Sequence, residues 1–130
     1  MRAISGNAMI LEKGDIVRQS EAGEYFSGLH PRTAIALDSA AKTMILVVVD
    51  GRQPNYSEGV SLAELSAIVQ EYGGYDALNL DGGGSTTLVV EGRGGEPAVL
   101  NSPIDNRIPG RERPVANHLG IFAREIGVGE

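Results

Sequence analysis

The residue types best suited to chemistry are concentrated in residues 79–87, where Asn and Asp precede three glycines, a serine and two threonines. Asp81 follows an apolar run, so a buried strand would deliver its carboxylate to the strand end. Gly82, Gly83 and Gly84 lack side chains, which lets backbone amides and a ligand approach closely. The motif has neither the spacing nor the lysine of nucleotide-binding loops. A simple β-turn with a capping aspartate is the alternative interpretation.

Charged residues at other strand ends could complete a site for an anion. Asp50 and Arg52 flank a glycine directly after an apolar run, although an Asp-Gly hairpin turn of type I′ would also explain them. Arg32 follows His30-Pro31, and the proline would hold the arginine on a rigid base. His30 itself is either a surface residue or a catalytic one.

A further acid lies in the polar stretch 102–117, which contains three of the prolines and several arginines. Glu112 stands between Arg111 and Arg113, and two guanidinium groups close in space would favour its ionised form. That would suit a base or an electrostatic stabiliser better than a general acid. A solvated run of charges is the alternative, although a loop this long in a compact domain is usually functional.

Composition limits the classes of function. The 130 residues suit one domain, and the net charge of −6 argues against nucleic-acid binding, which needs a basic face. Nine of the eleven basic residues are arginine, whose planar fork matches phosphate and carboxylate groups. No cysteine is present, the first residues do not resemble a signal peptide, and the longest apolar run, 44–49, is too short to span a bilayer. We therefore expect no membrane insertion and assign no compartment.

The elements that must position these residues indicate an α+β fold. Residues 62–72 predict one long helix, because Ser61 and Glu64 can form a capping box and apolar residues recur at helical spacing. The helix would pack on a mostly antiparallel or mixed sheet. Strands are expected at 7–12, 16–19, 33–37, 43–49, 77–80, 86–91, 98–101 and 118–123, with a loop at 20–28 and hairpins through 13–15 and 38–42. Residues 43–49 are apolar on both faces, which is typical of a central strand.

Five stretches together resemble the phosphodiester glycosidase family, in the family's order and over roughly residues 5–122. They read HPRTAI, VVDGR, GVSLAEL, DALNLDGGGS and ERPVAN, at residues 30–35, 48–52, 59–65, 76–85 and 112–117. One such stretch is a weak signal, whereas five in order are specific. The resemblance implies that residues 1–130 are the C-terminal portion of the family domain, without the N-terminal part that members usually carry. Members are often exported.

The resemblance implies hydrolysis of a sugar-1-phosphodiester, at the bond between an N-acetylhexosamine-type sugar and phosphate, with a phosphorylated glycan such as an exopolysaccharide as the partner. An oxocarbenium-like transition state calls for carboxylates, and the departing phosphate calls for bidentate cations. The implied catalytic pair is Asp81 and Glu112. The implied substrate-binding residues are Arg32, Arg52 and Arg113 as phosphate clamps, with Asp50, Asn79, Gly82, Gly83, Gly84, Ser85, Thr86 and Asn117 around them.

Other interpretations stay open at this point. The chain could be a non-catalytic phosphoglycan-binding module, or a structural or assembly domain of a surface or viral appendage. No cofactor is expected, although Asp50, Asp81 and Asp105 offer the hard oxygen ligands that suit Mg²⁺ or Ca²⁺. Exposed sheet edges would favour self-association, so a homo-oligomer is possible.

Overall fold

The computed structural model describes residues 4–18 and 24–123. Within these residues, nine strands and two helices follow one another, with a short 3₁₀ turn at Gly83–Ser85. The helices are α1 (Glu24–Ser27) and α2 (Leu62–Glu71). The strands are β1 (Ala8–Glu12), β2 (Asp15–Ile16), β3 (Arg32–Leu37), β4 (Met44–Val49), β5 (Asp76–Asn79), β6 (Val89–Glu91), β7 (Pro97–Val99), β8 (Ile104–Asp105) and β9 (Ile108–Pro109).

Five strands form one antiparallel sheet in the order β2-β1-β5-β3-β4, and β6-β7 and β8-β9 are separate hairpins. The sheet and the helix α2 confirm the α+β class, with a mostly antiparallel sheet. The central strand β5 lies between β1 and β3, so its C-terminal end lies in the middle of the row of strand ends on one side of the sheet. This topology brings the residues that follow β5 next to the start of β3 and the end of β4.

Helix α2 begins at the predicted capping box. The Ser61 hydroxyl accepts from the Glu64 amide, and the Glu64 carboxylate accepts from the Ser61 amide at 2.8 Å. Leu62, Leu65 and Val69 are buried against the sheet, where they meet small alanines of β3 and β5. The helix has ten residues, one fewer than the predicted 62–72. The part of the chain that the structure describes contains no helix long and apolar enough to cross a membrane.

The position of β4 corrects one prediction. Residues 43–49 were expected in the middle of the sheet, but β4 is an edge strand of the described sheet. Its odd-numbered residues, such as Ile45, pack against the core below α2. Its even-numbered residues Leu46 and Val48 line a groove on the opposite face. The strand is apolar on both faces because it separates a core from a groove. Self-association through its outer edge stays a prediction.

Several loop and strand boundaries also differ from expectation. Residues 24–27 form a helical turn inside the stretch 20–28 that was expected to be a loop, and residues 19–23 lie outside the described part. Residues 118–123 form no strand. The stretch 102–117 is not one open loop, because β8 and β9 form a hairpin within it. The end of the described chain therefore lies outside the five-stranded sheet.

The Asp-Gly turn is also different from the type I′ hairpin considered above. That turn needs positive φ at both central residues, which are Asp50 and Gly51 here, and neither has one. The left-handed residue is the next one, Arg52, with φ 57°. The chain continues into a small loop closed by the bridge between Gln53 and Ser57. The two predicted hairpins at 13–15 and 38–42 are confirmed by the pairings of β1 with β2 and of β3 with β4.

Candidate active site

Two neighbouring cavities open where β5 ends. The larger is a groove of about 350 Å³, and the smaller is a polar cavity of about 180 Å³. Asp81 and Arg113 line both, so they mark the junction. Three further predicted site residues line the larger groove: Ser85, Glu112 and Asn117. Site residues that are more than thirty positions apart in the chain, such as Asp81 and Glu112, therefore meet beside the C-terminal end of β5.

The two predicted carboxylates line the same groove. Asp81 is exposed at the end of β5, and its Oδ1 accepts a hydrogen bond from the Gly82 amide at 2.9 Å. Glu112 is exposed on the segment that follows the β8–β9 hairpin. Both acids thus reach solvent inside a groove whose remaining wall is largely aliphatic. Such a pair can share one substrate.

The glycine turn holds two arginine side chains. A Cβ on Gly83 would lie 3.0 Å from Nη1 of Arg52, and a Cβ on Gly84 would lie 2.5 Å from Nη2 of Arg113. Gly83 also has φ 60°, which favours glycine. The absence of side chains here lets two guanidinium groups pack directly against the turn.

The backbone amides of the turn are used differently from the sequence-based expectation. The Gly82 amide donates to its neighbour Asp81, and the Gly83 amide donates to the Pro31 carbonyl at 2.9 Å. The amides of Ser85 and of the following residue donate to carbonyls of the turn itself. The amides of Gly82 and Gly83 therefore already have partners within the protein, while both residues line the smaller cavity, and contact of the glycine backbone with a substrate stays a prediction. Gly83 and Gly84 leave space for arginine side chains, whereas Gly82 leaves space for the Pro31 backbone.

Arg113 is held by a buried acid. Its Nε donates to Oδ1 of Asp105 at 2.8 Å, and the Asp105 side chain is only 8% exposed. Nε of Arg111 lies 3.7 Å from the other oxygen of the same carboxylate. Both arginines that flank Glu112 in sequence therefore face Asp105. Neither arginine forms an ion pair with Glu112 in the part of the chain that the structure describes.

Arg52 is an exposed cation beside the smaller cavity. Both ion pairs found in residues 4–18 and 24–123 involve Asp105, so Arg52 forms none there. Its Nη2 lies 3.4 Å from Nδ1 of His30. Three arginines and one histidine line this cavity against the single carboxylate of Asp81. The cavity is therefore cationic in a protein whose net charge is −6, and an anion would neutralise it.

Arg32 lines the same cavity, but most of its side chain is buried and bonded to backbone carbonyls. It is 1% exposed, its Nε donates to the Val60 carbonyl and its Nη2 donates to the Gly28 carbonyl, each at 3.0 Å. These bonds tie the start of β3 to the segment before α2. A direct role as a phosphate clamp stays a prediction, while its role in shaping the cavity wall follows from these contacts.

Asp50 lines neither cavity, contrary to its predicted place. Its carboxylate accepts hydrogen bonds from the Tyr56 hydroxyl at 2.8 Å, from Nδ2 of Asn101 at 2.9 Å and from the Ser102 amide at 2.9 Å. The hydrogen bond to this carboxylate raises the pKa of Tyr56 above its ordinary value. Asp50 therefore links two parts of the chain: the loop that contains Arg52 and the segment that follows β7.

Asn79 and Thr86 are also frame residues rather than cavity residues. Asn79 is fully buried, and its Nδ2 donates to Oδ1 of Asn7 at 2.6 Å and to the Leu80 carbonyl. Its own Oδ1 is buried without a hydrogen-bond partner among the described residues. Thr86 is 1% exposed and accepts a hydrogen bond from the Thr33 hydroxyl at 3.3 Å. Both side chains were expected to contact a substrate. They are instead buried beneath the glycine turn.

Sequence reasoning missed some groove residues and misjudged one acid. Thr33, Thr87 and His118 line the larger groove. Thr33 and Thr87 lie in stretches that the sequence singled out, but they were given no role, and nothing in the local sequence of His118 marks it as a groove residue. Asp105 was considered only as a metal ligand. No group of three or more His, Cys, Asp or Glu side chains in the described ranges could hold a metal ion, and Asp105 faces arginines instead.

The fold and the site together define an α+β domain with a cationic pocket beside two carboxylates. A comparison with protein families identifies this class more narrowly. The model of the phosphodiester glycosidase family matches residues 1–122, and the chain belongs to that family.

Three relatives illustrate the family likeness. The zebrafish N-acetylglucosamine-1-phosphodiester alpha-N-acetylglucosaminidase catalytic domain, solved in a form auto-inhibited by its pro-peptide, has a TM-score of 0.64 and 29% identity over 85% of this chain and 38% of that one. A hypothetical protein from Synechocystis has a TM-score of 0.51 and 29% identity over 62% of this chain and 15% of its own. The SPbeta prophage-derived uncharacterized protein YomE of Bacillus subtilis (strain 168) is 35% identical over 92 residues, which are 71% of this chain and 13% of that protein. The chain therefore spans well under half of each relative.

Proposed function

We propose that the chain hydrolyses sugar phosphodiesters, at the bond between the anomeric carbon of an N-acetylhexosamine-type sugar and a phosphate oxygen. The observation that carries this proposal is the junction at which Asp81 and Arg113 line both cavities. The zebrafish relative, whose name states an N-acetylglucosamine-1-phosphodiester as its substrate, supports the same chemistry.

The smaller cavity suits the phosphate group. Arg52 and Arg113 each present a planar fork that can bind two phosphate oxygens, and charge-assisted bonds of this kind are about twice as strong as neutral ones. The phosphate leaves as a weak base, so holding its negative charge contributes more than protonating it. The arginines would bind the departing phosphate more tightly as its charge grows.

The larger groove suits the sugar, because both carboxylates line it. As the bond from C1 to the phosphate oxygen breaks with its electron pair going to the phosphate, positive charge develops on the sugar ring. A carboxylate can stabilise this charge, or accept a proton from the water whose oxygen bonds to C1. We propose that Asp81 and Glu112 divide these two tasks. Ser85 and Asn117, in the same groove, would contact sugar hydroxyls.

The experiment measures release of free sugar from N-acetylglucosamine 1-(methyl phosphate) by the chain and by Asp81→Asn and Glu112→Gln. Loss of a general base or acid typically costs about 10²- to 10⁴-fold in rate, and we expect a loss in this range for each variant. Glu71→Gln, an exposed acid at the end of α2, is the matched control and should keep full activity. Unchanged turnover in both site variants would refute the roles of these acids.

Calorimetric binding of the same phosphodiester, measured beside sugar release, separates the alternatives. Saturable binding of the phosphodiester without sugar release would favour the phosphoglycan-binding module. Neither binding nor release would favour a structural or assembly domain, and the proposed function would then be abandoned.

A further inference from the structure

We propose that Asp105 is the positioning residue for Arg113, and that it acts on the anion site only through that arginine. This inference rests on the proposed function, because it assigns to Asp105 the orientation of a phosphate-binding group. It differs from the metal-ligand role considered for Asp105 from the sequence.

The geometry of the pair supports the inference. The hydrogen bond from Nε of Arg113 to Oδ1 of Asp105 measures 2.8 Å, within the range of charge-assisted bonds. Nε takes up one of the five guanidinium donors, so the four N–H groups of the two terminal nitrogens are left for other partners. Because the Asp105 side chain is buried, the guanidinium is fixed at Nε by an acceptor that solvent screens little.

The β8–β9 hairpin holds Asp105 in turn. The Asp105 amide donates to the Arg111 carbonyl at 3.0 Å, and Nδ2 of Asn106 donates to Oδ2 of Asp105 at 3.1 Å. Asn106 and Arg107 both have positive φ, which makes the hairpin turn tight. β8 also packs against the 3₁₀ turn that contains Gly84. The carboxylate and the glycine therefore hold the Arg113 guanidinium from two sides.

The charges at this cluster remain favourable to an anion. Asp105 faces two arginines, so the three groups together carry one net positive charge. Removal of the Asp105 charge makes the cluster more positive, and a purely electrostatic effect would then strengthen phosphate binding. Loss of positioning would weaken phosphate binding. The sign of the change distinguishes the two roles.

The experiment is a double-mutant cycle with inorganic phosphate as the probe, measured by calorimetry on the full chain. We expect Asp105→Asn and Arg113→Gln each to weaken phosphate binding about tenfold, the value of one hydrogen bond to a charged group. In the Arg113→Gln background, Asp105→Asn should change the affinity by less than about twofold, because the two residues act as one unit. Asp15→Asn, an exposed acid on β2, is the control with the same change in net charge and should have no effect.

Three results would overturn the inference. Phosphate binding by Asp105→Asn that is as tight as in the wild type, or tighter, contradicts positioning. An equal loss in both backgrounds shows that Asp105 acts by another route, and absence of saturable phosphate binding in the wild type removes the anion site. If Asp105→Asn does not fold, Gly84→Ala displaces the same guanidinium from its other side, and full phosphate affinity in that variant refutes the proposal. Phosphate binding without sugar release would refute the proposed hydrolysis and leave this test intact.

Discussion

Replacement of Gly84 by alanine tests the site most directly, because it adds one methyl group at the place where Arg113 packs. The new Cβ would lie 2.5 Å from Nη2, 2.6 Å from Cζ and 2.8 Å from Nε of Arg113. Ordinary contact begins near 3.4 Å, so the guanidinium must retreat by about 0.9 Å. Asp105 holds Nε at 2.8 Å, so this displacement distorts the geometry of that hydrogen bond.

The expected magnitude follows from this displacement. Loss of one hydrogen bond between charged groups costs about 1.5–3 kcal/mol, and a misplacement of about 1 Å can reduce a rate about 10²-fold. We therefore expect kcat/KM for a sugar-1-phosphodiester to fall about 10- to 100-fold. Gly84 does not have positive φ, and the clashing atoms belong to the end of a flexible side chain. The free energy of unfolding should fall by no more than about 1.5–3 kcal/mol, the value of the one hydrogen bond that the methyl group disturbs.

The assay combines steady-state hydrolysis with urea unfolding of the same preparation. Gly120→Ala is the control, because a Cβ there meets no atom within 4 Å and the φ of Gly120 is not positive. Hydrolysis by Gly84→Ala at the wild-type rate would refute the reasoning. So would a large loss of stability in Gly84→Ala, because the methyl group would then disturb the fold rather than the arginine.

Two further predictions concern the frame of the site. Ser61→Ala should lower the free energy of unfolding by about 1 kcal/mol, measured by urea denaturation, since it removes the cap of α2. The hydrogen bonds from Ser61 lower the pKa of Glu64 below its ordinary value of 4.5. The ionised Glu64 therefore stabilises the folded state above pH 4.5, and this stabilisation is lost as the pH falls through the lowered pKa. A pH-independent effect of Ser61→Ala would contradict this coupling. Asp50→Asn should lower the pH at which Tyr56 ionises, followed by tyrosinate absorbance with Tyr56→Phe to identify the signal; an unchanged midpoint would exclude the hydrogen bond between them.

Much of the local structure could be predicted because it depends on neighbours in the chain. The capping box of α2 needs only Ser61 and Glu64, three residues apart, and the 13–15 and 38–42 hairpins need only turn residues between β-rich runs. Strand order was beyond this reasoning. β4 reads as a central strand because residues that are apolar on both faces show that both faces are covered, but not whether a strand pairs with each edge.

The sequence by itself determined the family, the α+β class and the position of Asp81 at a strand end before glycines, since each depends on residue types in order along the chain. Tertiary structure alone decided which charged groups share a cavity. It pairs Arg113 with Asp105, buries Arg32 on backbone carbonyls and directs Asp50 to Tyr56. Side-chain partners far apart in sequence are selected by packing and by the need to satisfy buried polar groups, and neither leaves a mark in local spacing.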